Sequence, residues 1–238
     1  MRPFAAGLIL AATAAVDPTP FQAELVHVGH RVGWGLLASA AVAVGAWKAK
    51  ALTIGGAVIS TLCGAAIFSL GGFQAWLMYL AAATVAVTSW RVGQKRRGPT
   101  PASHGVGSVI AGCAIGVTGA WLMAAMDADA TGALMLATGV AAWASNALAG
   151  EFEKGYGKGA GALASLITSI AIAGLFALTF PDMLRLAPFI VLGVTIASLI
   201  QRALANPLQR SGLVNEDVLL FLNTLVATAV TYAGFLAS

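Results

Sequence analysis

Two carboxylates and an amide stand together at Asn215-Glu216-Asp217, inside the stretch GLVNEDVLLFLNTL, and a second polar pair, Asn223-Thr224, comes later in the same apolar run. Asn215 has the side chain of a helix N-cap, and Glu216 and Asp217 then fall in the first turn, where carboxylates favour the helix dipole. Glu216 and Asn223 are seven residues apart and share one helix face. Two readings stay open. In one, this is a well-capped helix whose Asn223 hydrogen-bonds a neighbouring helix. In the other, Glu216, Asp217 and Asn223 line a polar pocket where the two carboxylates hold Mg²⁺ against a phosphate.

A second candidate is GEFEKGYGKGAG at 150–161, in which Gly157 and Gly159 flank Lys158. A glycine-rich loop that starts a helix can cradle phosphate through backbone N–H groups. The pattern GxxxxGK[ST] is absent, so this is not a P-loop, and a plain connector between two helices is an equal reading. Further polar residues collect near the ends of apolar runs: Ser89 and Arg91, His104 and Ser108, Ser145 and Asn146 in AAWASN, and Gln201, Arg202, Gln209 and Arg210. RVGQKRRGPTPAS at 91–103 is first a topogenic, headgroup-binding loop. Cys63 and Cys113 lie within apolar runs and read as core residues rather than a disulfide or metal pair. His27 and His30 could face one way as haem ligands, but no second histidine pair supports that.

The elements that must carry these residues are dictated by composition. The chain of 238 residues is 59% hydrophobic and only 9% charged, with a mean hydropathy of +0.87. So little charge cannot cover a water-facing surface, and the chain is read as an integral membrane protein: all-α, a polytopic transmembrane bundle. Apolar runs place spans near 3–16, 32–47, 51–70, 73–90, 106–126, 131–149, 161–180, 184–200 and 217–236, giving eight or nine in all. Residues 1–31 form an N-terminal helix or signal-like segment plus a short external loop, with an exit turn at Asp17-Pro18 and Pro20. Residues 32–238 form one transmembrane domain. The Trp residues at 34, 47, 76, 90, 121 and 143 mostly fall near span ends, as an interfacial belt would.

Charge tests the segmentation. With the N-terminus on one side and strict alternation, 11 of the 13 basic residues fall on that side and only Arg31 and Arg185 on the other. The 9 acids divide almost evenly, four with the basic majority and five opposite. The positive-inside rule predicts this asymmetry, which puts the N-terminus in the cytoplasm and the C-terminus outside, in a bacterial inner membrane. The net charge of +4 is then topology and lipid contact, and without stacking aromatics among the basic residues it does not imply nucleic acid.

The order of these features resembles a family of polytopic membrane proteins that includes the chloroplast phytyl-phosphate kinase and animal transmembrane protein 19. KALTIGGAVISTLCGAAIFSLGGFQAW at 50–76 is similar to the family's first segment, and GLVNEDVLLFLNTL to its closing segment. AAWASN stands where the family has Asp-Thr-Trp-Ala-Ser-Glu, and the glycine-rich loop where it has Gly-Thr-Ser-Gly-Gly. The resemblance covers residues 35–236 and implies a cytoplasm-facing site that moves a phosphate from a nucleoside triphosphate, with Mg²⁺, to a prenyl phosphate. It implies catalytic roles for Glu216, Asp217, Asn223 and Asn146, and phosphate or nucleotide contacts from Lys158, Gly157, Gly159, Ser145, Ser89 and Arg91. Several family positions differ here: Ala141 and Asn146 replace acids, Lys158-Gly159 replaces Thr-Ser, Ser108 and Gly112 replace Gln and Asn, and Leu220 replaces Asn.

Metal-assisted phosphoryl transfer relies on carboxylates to place Mg²⁺ and neutralise charge. The lost acids therefore bring a second expectation: a catalytically silent scaffold or accessory subunit of a membrane-protein complex, whose small-residue faces such as Gly112/Gly116 and Ala137/Ala141 can pack against a partner as easily as within the bundle. A transporter ranks third, because no span centre holds a charge and no inverted repeat is visible.

Overall fold

The computed structural model describes residues 20–97, 104–126, 129–210 and 214–237; the expected first span at 3–16 and the Asp17-Pro18 part of the exit turn lie outside these. The described chain is helical: α1 (Pro20–Lys48), α2 (Ile54–Arg97), α3 (Val106–Ala125), α4 (Asp129–Tyr156), α5 (Lys158–Thr179), a 3₁₀ segment (Pro181–Leu186), α6 (Ala187–Arg210) and α7 (Glu216–Leu236). Six of the helices are long and apolar enough to cross a membrane. The chain is thus an all-helical protein of membrane-spanning type.

One of these six is a hairpin. Gly72 interrupts α2 with φ 74° and ψ −172°, a conformation that only glycine adopts readily. A straight helix would hold Ser60 and Tyr79 about 28 Å apart, yet their hydroxyls lie 2.6 Å from each other. The limbs 54–71 and 73–97 therefore run side by side, close to the spans expected at 51–70 and 73–90. The first limb starts at Thr53, whose hydroxyl accepts the N–H of Gly56 at 3.0 Å. Helix α1 packs on this hairpin through Ser39, which accepts the Trp76 indole N–H at 3.0 Å.

Helix α4 is the axis of the bundle. Of its most apolar window 78% is buried, against 50% or less for the other candidate spans. Its seam with α3 is made of glycine: a Cβ on Gly119 would meet the Gly132 carbonyl oxygen at 2.5 Å and the Leu136 nitrogen at 2.6 Å, and one on Gly112 would meet the Trp143 ring at 2.5 Å. Gly116 likewise lies against Val140, and Ala137 and Ala141 are fully buried. The small-residue faces Gly112/Gly116 and Ala137/Ala141, which could pack against a partner as easily as within the bundle, pack within it.

Other boundaries also differ from expectation. The segment 21–31, part of the stretch read as a short external loop, lies within α1. Helix α4 runs seven residues past the expected end at 149, and the connector between α4 and α5 shrinks to Gly157, at φ 89°. The helical part of the span expected at 184–200 begins after the 3₁₀ segment, at Ala187, and continues to Arg210. The tryptophans divide: Trp34, Trp47 and Trp121 are exposed as a belt requires, whereas Trp76, Trp90 and Trp143 are core residues. Cys63 and Cys113 are free thiols, half-buried and buried, as core residues would be.

Candidate functional site

At one end of the bundle, the last turns of α2, α4 and α6 meet the first turns of α3 and α7. They enclose a cavity of about 400 Å³. Four of the residues expected to act on phosphate line it, drawn from three helices: Ser89 from α2, Asn146 from α4, and Glu216 and Asp217 from α7; His104, Ser108 and Gln201, noted as polar residues near the ends of apolar runs, line it too. Asn215 caps α7 as its side chain predicts, with Oδ1 accepting the Val218 N–H at 2.9 Å. The cap sets the direction of the first turn and so turns both carboxylates to the cavity. Asp217 reaches over the first turn of α3, where its carboxylate sits against Gly107 in space that any side chain there would fill.

The other predicted residues fall elsewhere. Asn223 lies two turns deeper on α7 and is buried, with Oδ1 lacking a partner among the described residues. It is behind the cavity, not in its wall. Thr224 beside it donates to the Phe221 carbonyl at 2.8 Å. Ser145 turns toward α5 and donates to the Ser165 carbonyl at 3.3 Å. Arg91 is exposed and outside the wall. Gly157 and Gly159 are exposed, with open space beside each, and neither lines the cavity. The Lys158 side chain lies outside the described residues. The glycine-rich stretch is therefore no loop cradle, because most of it is the end of α4 and the start of α5.

That helical extension carries Gly150, Glu151 and Lys154 of the same stretch into the cavity wall, as one face of a helix and not as a loop. Asn146, Gly150 and Lys154 recur every four residues, with Glu151 beside them, and all four line the cavity. The helical period is legible there, but the many glycines suggest a loop. Two clasps hold this end of α4. Arg96 from α2 stacks over the Tyr156 ring at 4.3 Å, and Arg202 from α6 pairs with Glu153 at 3.4 Å while donating to the Gly161 carbonyl at 2.9 Å. Gln201, Trp90 and His104 complete the polar wall.

His104 is pinned by backbone. Its N–H donates to the Ala51 carbonyl at 3.3 Å and its carbonyl accepts the Thr53 N–H at 3.1 Å, tying the start of α3 to the start of α2. Ring Nδ1 lies 3.0 Å from the Ser108 hydroxyl. Burial lowers the imidazole pKa below its ordinary value; the carboxylates of Glu216, Glu151 and Asp217 pull it up and Lys154 pushes it further down, and burial prevails. The ring is neutral at pH 7. Counting full charges, three carboxylates (Glu151, Glu216, Asp217) stand against one ammonium (Lys154), an excess of two negative charges. Lys154 lies 3.9 Å from Glu151, and its side chain is largely exposed.

The donor set does not make a resident metal site. Among the described residues no three of His, Cys, Asp and Glu converge where a metal ion could sit. Glu216 and Asp217 alone offer what Mg²⁺ takes from protein when substrate phosphates and water supply its remaining ligands. Comparison of the chain with protein-family models, curated proteins and solved structures found no match.

Proposed function

We propose that the cavity is a cytoplasm-facing site of the prenyl-phosphate kinase type, binding a nucleoside triphosphate and a prenyl phosphate. One observation carries this reading: Ser89, Asn146, Glu216 and Asp217, chosen from sequence, line a single cavity although up to 128 positions separate them. The proposed topology has eight spans (α1, two limbs of α2, and α3 to α7), with 3–16 as a ninth. It places the N-terminus in the cytoplasm, the C-terminus outside and the cavity on the basic side of a bacterial inner membrane, where nucleotides are. In this reading Asn146 and Ser89 orient phosphate oxygens from the α4 and α2 walls. Mg²⁺ arrives on the nucleotide, and Glu216 and Asp217 meet it there.

The second reading, a silent scaffold or accessory subunit, is favoured by the dispersed metal donors and by Asn223 standing behind the wall. Its partner would have to dock elsewhere than the glycine seam. A transporter remains third, as no described feature speaks for it.

Thermal stabilisation of the detergent-purified protein by CTP, ATP, GTP and UTP with Mg²⁺ tests the choice. A ligand bound only by the folded state at a hundredfold excess over Kd adds about 2.7 kcal/mol. The kinase-type site predicts a Mg²⁺-dependent shift with one nucleotide, lost in Glu216→Ala and in Asp217→Ala. No shift with any nucleotide, or shifts unchanged in both variants, would overturn it in favour of the silent reading.

A further inference from the structure

Two thiols meet on the seam between the first limb of α2 and α3, away from the cavity and unused by it. Three contacts set the register of that seam. A Cβ on Gly55 would meet Val106 Cγ2 at 2.8 Å, Ile67 Cδ1 lies 3.9 Å from where Gly116 would carry a Cβ, and a Cβ on Gly71 would lie 3.4 Å from the Cβ of Ala120. Cys63 and Cys113 stand between the first and second of these contacts. Each is a turn before its neighbour in the second, Cys63 before Ile67 and Cys113 before Gly116, and so shares that neighbour's helix face. The two side chains share a hydrogen bond across the seam. A disulfide needs Cα atoms within about 7 Å of each other. Glycines on both sides of the pair keep the helices close, as that bond requires.

The two thiols differ in access. Cys113 has no exposed surface. Buried alone, a thiol is inert. Cys63 is half-buried, and the exposed residues of its limb nearest to it in sequence, Val58 and Leu62, are apolar. On a membrane-spanning limb such a surface turns to lipid, where a lipid-soluble reagent reaches Cys63 and a water-soluble one does not. An accessible thiol with a second thiol in reach to resolve it is the usual pairing of a redox site.

We propose that Cys63 and Cys113 are a redox-active dithiol, closed to a disulfide by a lipid-soluble quinone. In that step the two Sγ–H bonds break and one Sγ–Sγ bond forms. Two protons and two electrons pass to the quinone, which leaves as hydroquinone. The bond ties the first limb of α2 to α3, and a dithiol reductant reopens it. The proposal goes beyond the kinase-type reading and does not depend on it, since neither thiol lines the cavity.

The test needs no nucleotide, so its failure leaves the nucleotide experiment untouched. Reduced protein in lipid nanodiscs, freed of reductant, is treated with duroquinone, a fully substituted quinone, or with oxidised glutathione. It is then unfolded, alkylated with N-ethylmaleimide and weighed by mass spectrometry. The quinone should leave a chain lighter by two hydrogens that takes no alkyl group until dithiothreitol is added, with Cys63 joined to Cys113 in the peptide map. Oxidised glutathione should leave both thiols free to alkylate. The quinone-treated protein should also unfold at a higher temperature than the reduced protein, a difference absent in Cys63→Ala. Both thiols alkylated after quinone treatment, dimers joined through Cys63, or equal closure by oxidised glutathione overturns the proposal.

Discussion

Two glycine-rich regions of this chain do opposite things. Along α3, Gly112, Gly116 and Gly119 lie against α4 so closely that a methyl group on Gly119 would overlap backbone. Around the α4–α5 junction, Gly150, Gly157 and Gly159 have no neighbour within 4 Å of where a Cβ would be. In sequence the two look alike, small residues in an apolar or weakly polar setting. The first works by absence of volume, letting two helices approach where lipid gives no hydrophobic drive to associate. In the second, Gly157 works by backbone freedom, where a positive φ lets two helices join through one residue, while Gly155 and Gly161 leave room for the Arg96 and Arg202 side chains.

The sharpest way to break the contrast is to add one methyl group in each region. Gly119→Ala should destabilise by about 1–3 kcal/mol, the cost of overpacking a close contact, and more if the Gly132 carbonyl cannot move. Gly159→Ala should be neutral or slightly stabilising, because a helix prefers alanine and the space is open. Thermal unfolding in one detergent compares them, and equal losses would mean the seam is looser than described. Next in size is Gly157→Ala, which forces a Cβ into the left-handed region and should cost about 1–2 kcal/mol. Its readout is a lower Tm; a neutral result would show that the junction can relax to negative φ.

The smallest expected effect is a pH dependence confined to the cavity end. His104 has a lowered pKa in the folded protein, so the folded state resists a proton that the unfolded chain accepts. The stability associated with the neutral ring is complete above the ordinary imidazole value of about 6.5. It is lost as pH falls from there through the lower folded value. His104→Gln should flatten that part of the curve of Tm against pH. A curve of the same shape in the variant would assign the dependence to the carboxylates. The glycine contacts of the seam involve no group that titrates near neutral pH, so Gly119→Ala should leave the shape of the curve unchanged.

Much of the site is legible in the sequence because it rests on local rules. Asn215 before Glu216-Asp217 is a cap whichever helix it faces, and the cap holds. Ser89 and Asn146 stand out as polar residues ending apolar runs. Glu151 and Lys154 are visible as residues but not as wall, since the glycines around them argue for a loop while packing against α2 and α6 keeps the helix going to Tyr156. Asn223 shares a helix face with Glu216, but sharing a face cannot say how deep a cavity reaches. The floor is closed by Leu219 and Leu220, one turn short of it.

Composition and short spacing settle the local features without any fold. Scarcity of charge demands lipid, apolar runs set helices, Asn215 and Thr53 start two of them, and Gly72 permits the fold-back. Which residues meet is a matter of packing alone. That Ser89, Asn146, His104 and Glu216 share one cavity, and that α4 rather than any of the more apolar helices is the axis, depends on how α2 to α7 come together. Small side chains on α3 and α4 allow the closest approach, and that approach draws the polar ends of the remaining helices around α4.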